Sequence, residues 1–345
     1  MKKVFGLIGL TATYSFVAGV NFIFIFILNL IGSGILSFLN HTDNLFLNIV
    51  VGITLFGLVY GGYLFLTVKR PKIIPMDKSK YYFLNFNLPI TTFTALVLVP
   101  LYFEYHSVNW SIVLFSFFYF AFTSLCISTG YHRYFAHHSY KASPLVEWYL
   151  LLFSPATFYG PVVEWAGEHQ IHHKFEDTEQ DPHAINKGFW NAHWGWLFYR
   201  KVYRYEKIES NPRVMWQDKY HGYLALGTAF GIPTLIGYLL GSWEQGFLIG
   251  GIFRLVYFQH LGFLVNSLSH YSGERTSTSS ATNNAFLKLI GGGEGLHSNH
   301  HKYPSSYTTR VKKGELDPSG WLVFWWDYMG IAKINENDKL KKPLK

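Results

Sequence analysis

The sequence is poor in charge. Of its 345 residues only 14% are Asp, Glu, Lys or Arg, where a soluble domain carries about a quarter. With 49% hydrophobic and 19% aromatic residues, this excludes a disordered or fibrous chain and points to a solvent other than water, the bilayer. The single cysteine, Cys126, excludes a disulfide framework, a C-x-x-C redox pair, a thiolate zinc site and a cysteine-held iron–sulfur cluster. Any metal chemistry must use nitrogen and oxygen. Also missing are H-E-x-x-H, a His-Pro-Gly-Gly haem signature and G-x-G-x-x-G after a strand, so electrons for any redox reaction are expected from a partner. The formal charge is +8, but the basic residues are not set among stacking platforms on a soluble face, and no nucleic-acid partner is expected.

What is present is a series of apolar runs of about 18 to 24 residues, long enough to cross a hydrocarbon core as helices. Six are expected: Phe16 to Leu39, Leu45 to Val68, Phe86 to Phe103, Trp110 to Thr129, Gly222 to Leu240 and Gly246 to Leu268. The fold class is therefore all-α, a polytopic membrane helix bundle. The connections Asn40 to Asn44, Glu104 to Asn109 and Gly241 to Gln245 contain no Lys or Arg, whereas the others hold nearly all of them. The excess of positive charge marks the cytoplasmic side, so both termini are expected there. Lys2 and Lys3 precede an apolar stretch, but the pattern runs on to Leu39 without a small-residue cleavage site, and a signal peptide is not expected. Arg254 is the one basic residue inside an expected span, with a structural pairing and a functional role both open. The segment Leu145 to Val163 is apolar but interrupted by Glu147, Pro155 and Pro161, and reads as a helix along the cytoplasmic interface. Trp321 to Tyr328 reads as a docking helix.

Sixteen histidines are clustered rather than scattered. His132 and His137 follow the fourth span, His169, His172 and His173 follow the interfacial stretch, His270 ends the sixth span, and His297, His300 and His301 lie beyond it. At this histidine frequency a given H-x-x-H-H string arises by chance in roughly 3% of such chains; here there are two. Positions i, i+3 and i+4 share a helix face, so each H-x-x-H-H can turn three imidazoles toward one locus. His132 and His137 would diverge by about 140° on a regular helix; they serve different ions, or the helix breaks between them. Nine neutral imidazoles exceed what one four-to-six-coordinate ion needs, so two ions are expected. Imidazole suits zinc, copper, iron and nickel. Zinc hydrolysis usually needs a Glu base, and a carboxylate di-iron bundle needs paired Glu-x-x-His, of which only Glu294 with His297 fits. Redox iron at the membrane surface remains.

The string Gly-Tyr-His132-Arg133-Tyr-Phe-Ala-His137, then Glu164-Trp165-Ala-Gly-Glu168-His169-Gln-Ile-His172-His173, then Asp181-Pro182-His183, then Val265-Asn266-Ser267 ahead of His270, and Gly293-Glu294-Gly295-Leu-His297-Ser-Asn-His300-His301 resembles the acyl-CoA (stearoyl-CoA-type) branch of the membrane fatty acid desaturases, in its bacterial form without a fused cytochrome domain. The resemblance covers about residues 86 to 332. It implies a four-span core under a cytoplasmic helical cap that carries the histidine boxes, two iron ions held by His132, His137, His169, His172, His173, His270, His297, His300 and His301, and a metal-bound water at Asn266. The implied reaction uses dioxygen and two electrons to make a cis double bond, at the ninth carbon, in a saturated fatty acyl chain delivered as acyl-CoA. The implied donor is a ferredoxin or a b-type cytochrome with its reductase, and the implied location is a bacterial inner membrane. Domain limits follow: residues 1–80 an added two-span hairpin, 81–332 the desaturase domain, 333–345 a polar tail.

Side-chain acids and nucleophiles cannot start chemistry at an unactivated methylene, which has no acidic proton and no leaving group. The protein's task is to hold one pair of methylenes in a fixed bend beside the metal, and Phe158, Tyr159 and Trp165 are expected as walls. Tyr159 stands where the family has Gln, and Gly262 where it has Thr, both near the bend. Gly167 stands where animal members have an Arg for the CoA head group, while Glu168, Arg200 and Lys201 keep matching positions. Asp181 and Glu294 are expected to brace ligating imidazoles; His183 and His193 are expected to be bracing or structural, and His138, His221 and His260 to lie outside the ligand set. Two other readings are a membrane di-iron lipid hydroxylase and a membrane metal-binding or transport protein.

Overall fold

The computed structural model describes Leu88 and residues 90–198 and 201–340. The expected N-terminal hairpin with its two spans, His41 and Arg200 lie outside the described residues. Among the described residues three helices are long and apolar enough to cross a membrane: α2 (Trp110–Ala136), α6 (Pro212–Leu239) and α7 (Trp243–Tyr271). A shorter apolar helix, α1 (Ile90–Tyr105), covers most of the expected third span. The spans outgrow the apolar runs at their polar ends. Helix α2 continues past Thr129 through the first histidine box, and α6 starts well before Gly222, where the Asn211 side chain accepts from the Arg213 amide and Pro212 takes the first helical position.

All four apolar helices among the described residues contain π-wound stretches, at Thr94–Leu98, Ile127–Ala136, Gly227–Gly231 and Gly246–Phe253. Such bulges leave carbonyls without their usual helical partner, and in a bilayer each must be satisfied internally. Arg254 does this. Its guanidinium donates to the carbonyls of Gly250 (2.7 Å), Ala156 (3.2 Å) and Ala229 (3.4 Å) and lies 5.0 Å from the Tyr119 ring. The intramembrane cation is a structural clasp held by carbonyls and an aromatic face rather than by a carboxylate.

The expected interfacial helix is two helices. Ser143 caps α3 (Pro144–Phe153) by accepting from the Val146 amide, a 3-10 turn follows at Ser154–Thr157, and the chain reverses through Phe158 and Gly160, both at positive φ (57° and 90°). Pro161 then starts α4 (Val162–Phe175). Glycine takes such a backbone freely; a buried Phe does so only where packing imposes it, here against Phe230. Helix α4 packs on the π-wound end of α2, and Tyr131, Leu150, Val162, Ala166 and Val323 form one buried core between α2, α3, α4 and the C-terminal region. Short helices α5 (Phe189–His193), α8 (Ala285–Ile290) and α9 (His297–Lys302) sit around it, followed by α10 (Pro318–Tyr328), which contains the expected docking helix. A two-stranded antiparallel ribbon pairs β1 (Tyr140–Ala142) with β2 (Ala332–Ile334). Strand β2 straddles the boundary expected between residues 332 and 333, and Ile334 is buried.

Candidate metal centre

The nine histidines expected to act together are brought together. They form two groups: His132, His137, His169 and His300 in one, His172, His270, His297 and His301 in the other. His173 joins the first, its Nε2 lying 3.1 Å from that of His169 and 2.9 Å from that of His300. The split differs from the expectation that each H-x-x-H-H serves one locus. Residues i+3 and i+4 stand about 100° apart on a helix, whereas i and i+4 stand only about 40° apart. On α4, His169 and His173 therefore face the first group while His172 reaches the second. On α9, His297 and His301 face the second while His300 reaches the first.

The first box resolves differently from both sequence alternatives. Neither a break nor a second ion separates His132 from His137. The π winding of Ile127–Ala136 bonds the His137 amide to the His132 carbonyl (3.1 Å), and an i→i+5 ladder stacks residues five apart on one face.

The tautomers follow from what the far nitrogens touch. His172 Nδ1 is 3.0 Å from Asp181, His132 Nδ1 3.5 Å from Glu294, and His270 Nδ1 2.7 Å from Ser280 Oγ and 3.5 Å from Glu176; His301 Nδ1 is 3.4 Å from the other Glu176 oxygen. Carboxylates only accept, so these Nδ1 atoms carry the hydrogen and the Nε2 atoms present bare lone pairs inward. His172 Nε2 is buried with no hydrogen-bond partner. Bare lone pairs at close range repel; a cation among them removes the repulsion. Nitrogens held about 2.1 Å from one ion stand about 3.0 Å apart at right angles and about 3.4 Å apart at tetrahedral angles. The Nε2 separations in the first group, 2.8 to 3.1 Å, match the right-angled set, and so do the two 3.1 Å separations in the second. The residues present fit two ions, one at each group, and imidazole suits iron as it does zinc, copper and nickel.

Burial, and then the neighbouring imidazoles, hold His169, His172, His173, His297 and His300 well below the ordinary histidine value, which keeps them neutral, the form a metal binds. Burial also works to raise the Glu294 carboxyl, but His132, Arg133 and the Ser128 hydroxyl outweigh it and hold it at about 2. Asp181 and Glu294 thus stand where expected. Glu176 and Ser280 were missed: Glu176 closes the turn after α4 and Ser280 lies in a serine-rich loop, and neither position carries a spacing signal. His183 lies beside His172, with ring centroids 4.2 Å apart and the rings tilted by 39°, and groups with it around Asp181. His193 and His260 bond each other (3.1 Å), His138 contacts Tyr205, and His221 contacts Gln217; all four lie outside the two groups.

A cavity of about 350 Å³ opens onto the histidines. Tyr159, Trp165, Glu168, Gly262 and Asn266 line it with Phe158; Lys201 is exposed and outside it. Two of the departures from the family's pattern have a steric account. A Cβ on Gly262 would fall 1.8 Å from the Tyr159 hydroxyl oxygen, and one on Gly167 would fall 2.2 Å from the Tyr203 carbonyl oxygen.

The model of the family described as "Fatty acid desaturase" matches residues 108–314, a stretch that contains every one of these histidines. The chain belongs to the fatty acid desaturase family. Among similar proteins are a "Probable acyl-CoA desaturase" of Schizosaccharomyces pombe (33% identical over 72% of this chain and 52% of that protein) and an "Acyl-CoA Delta(11) desaturase" of Trichoplusia ni (35%, over 70% and 72%). An "sn-1 stearoyl-lipid 9-desaturase" of Synechocystis is 31% identical over 76% of this chain and 81% of its own length. The match thus spans about half of the yeast protein. The desaturase family implies iron, histidine clusters here could hold it, and the apolar helices make this family member an integral membrane protein.

Proposed function

We propose that the protein is a membrane-bound acyl desaturase with two iron ions. His132, His137, His169, His173 and His300 would hold one ion, and His172, His270, His297 and His301 the other, with Asn266 contributing through a water. The observation that carries this is the inward convergence of Nε2 lone pairs whose opposite nitrogens are fixed by Asp181, Glu176, Glu294 and Ser280. The reaction is R–CH₂–CH₂–R′ + O₂ + 2e⁻ + 2H⁺ → R–CH=CH–R′ + 2H₂O. Bound iron would supply the oxidising power, with dioxygen as co-substrate. The chain's own residues do the rest: the carboxylates hold the imidazoles in one tautomer, and the apolar wall of Phe158, Tyr159 and Trp165 excludes water and sets which methylenes face the histidines.

Substrate and partners extend the same reading. The substrate is a saturated fatty acyl chain delivered as acyl-CoA, the form named for some relatives, with the double bond at the ninth carbon, the position named for others. An Arg cannot enter at position 167 against the Tyr203 backbone, so Glu168, Arg200 and Lys201 are left to meet a head group. The donor is a ferredoxin or a b-type cytochrome with its reductase, and the histidine groups and both termini face the cytoplasm of a bacterial inner membrane. Residues 81–332 are assigned to the desaturase domain and 333–345 to the tail. The test is expression with iron in a host lacking its own desaturase, with mass spectrometry of the lipids. A new monounsaturated chain with its double bond at the ninth carbon is expected. A hydroxylated chain instead would make the protein a hydroxylase, and no new product from metal-loaded protein with a donor present would overturn the enzymatic reading.

Tyr159 and Gly262 are expected to act as a matched pair. Gly262→Thr alone forces the Tyr159 ring aside and should lower product yield at least about tenfold, since misplacement by about 1 Å can cost about a hundredfold. Adding Tyr159→Gln to Gly262→Thr should restore most of that loss. Product analysis of the two single variants and the double variant checks it; equal loss in G262T and the double variant would dissociate the pair.

A further inference from the structure

Helix α10 has two apolar faces, and only one of them packs on the protein. Val323 and Trp326 are buried, Trp326 against the rings of Tyr140 and Tyr149 (centroids 6.3 and 6.0 Å). On the other side Trp321, Phe324, Trp325 and Tyr328, spaced i, i+3, i+4 and i+7, form one aromatic stripe with exposures of 41 to 76%. No Lys, Arg or Glu occurs between Pro318 and Gly330. The Arg310 guanidinium lies 5.7 Å from the Trp321 ring at the start of the stripe, and four large aromatics in a row are costly to leave in water.

The depth of the stripe identifies what covers it. Tyr149 packs edge-on against Phe122 and bonds the Cys126 thiol (3.1 Å) on span α2. Counted from Trp110 at about 1.5 Å per residue, a hydrocarbon core of about 30 Å ends near residue 130. Phe122 and Cys126 place Tyr149 about 6 to 12 Å inside that edge, while Tyr140, on which Trp326 also packs, donates its hydroxyl to the Thr129 carbonyl (2.9 Å) at the edge itself, so Trp326 lies at the inner boundary of the core. The stripe on the opposite side of α10 points away from the span at this level, which is the direction of the surrounding lipid. We propose that α10 is an interfacial anchor whose Trp321–Phe324–Trp325–Tyr328 stripe lies in the acyl–headgroup boundary of the leaflet nearest the histidine groups. Trp and Tyr are the side chains that favour that boundary. The anchor is tied to the site: its N-cap Asp317 holds Arg133, the neighbour of His132, through two hydrogen bonds (3.0 and 2.8 Å). Lipid contact at α10 thus sets the height of the first histidine group above the membrane. The inference rests on the spans and not on the reaction catalysed.

Cys126 is buried and is the chain's one cysteine, so a nitroxide can be attached selectively to Trp325→Cys, to Tyr328→Cys and, as an exposed control on β2, to Lys333→Cys. The full chain is placed in phosphatidylcholine/phosphatidylglycerol nanodiscs and its power saturation is read with oxygen and with a water-soluble nickel chelate. The expected result is that labels at 325 and 328 favour oxygen over nickel by at least about fivefold relative to the label at 333. Equal nickel access at all three positions would place the stripe in water, and dipolar broadening between two labels at 325 would make a second copy its occupant; either outcome overturns the proposal.

Discussion

Replacing His300 with alanine is expected to abolish desaturation, at least a hundredfold below the parent, and to reduce bound iron, while His138→Ala, one residue past the first box, stays within about twofold. His300 is the residue of α9 that crosses to the first group, with its Nε2 3.0 Å from that of His132 and 2.9 Å from that of His173. Its loss cuts His132 from a chain of five nitrogens that runs His137, His169, His173, His300, His132, and loss even of an outer bracing partner typically costs about 10- to 100-fold in metal affinity. His138 touches only the Tyr205 hydroxyl (3.3 Å) and a carbonyl acceptance from Asn335. Iron per chain by elemental analysis, read beside product yield, separates a lost ligand from a lost fold. Full iron and activity in H300A would remove His300 from the ligand set.

The largest effect on stability is expected from Asp317→Ala. The carboxylate is fully buried and accepts two hydrogen bonds from Arg133, one from the Thr308 hydroxyl (2.9 Å) and one each from the Thr309 and Gly320 amides (2.9 and 3.0 Å). Truncation leaves the Arg133 guanidinium, itself 2% exposed, with only the more distant Glu294 carboxylate (3.9 Å) as a charge partner. Breaking a buried pair from one side costs about 3–5 kcal/mol. Denaturation of the purified protein in detergent should show that loss, and D317A combined with Arg133→Met should be less damaging than D317A alone, because no charge is then stranded. A change below about 1 kcal/mol in D317A would show that the pair is not what joins α10 to the first box.

Much of this was legible in the residues, for identifiable reasons. Spans show because about 20 apolar residues in series have few other uses, and the boxes show because imidazoles at helical spacing are rare. Each H-x-x-H-H was read as one locus because it shares a face; the finer fact, that neighbours at i+3 and i+4 straddle that face, decides the outcome only once a second helix supplies ligands on both sides. The winding at Ile127–Ala136 was not legible, since α and π ladders draw on the same side chains and tertiary contacts choose between them. Arg254 was ambiguous for the same reason: its acceptors are a carbonyl one turn back on its own helix and oxygens of Thr123, Ala156 and Ala229 brought in from distant segments. Glu176 and Ser280 carry no spacing signal, and the Tyr159–Gly262 fit depends on an approach between distant segments that only coordinates reveal.

The division of α4 and α9 between the two histidine groups has a consequence for how the protein acquires metal. Each helix is a shared rafter: fixing the orientation of either one at the first locus also aims its remaining imidazole, or pair of imidazoles, at the second. On the proposed two-ion reading, the ordering that a first ion imposes would not have to be imposed again, and a second ion would bind more tightly than it would to a chain with none. Half-filled molecules would then be scarce, and maturation would run from empty to complete as a nearly concerted event.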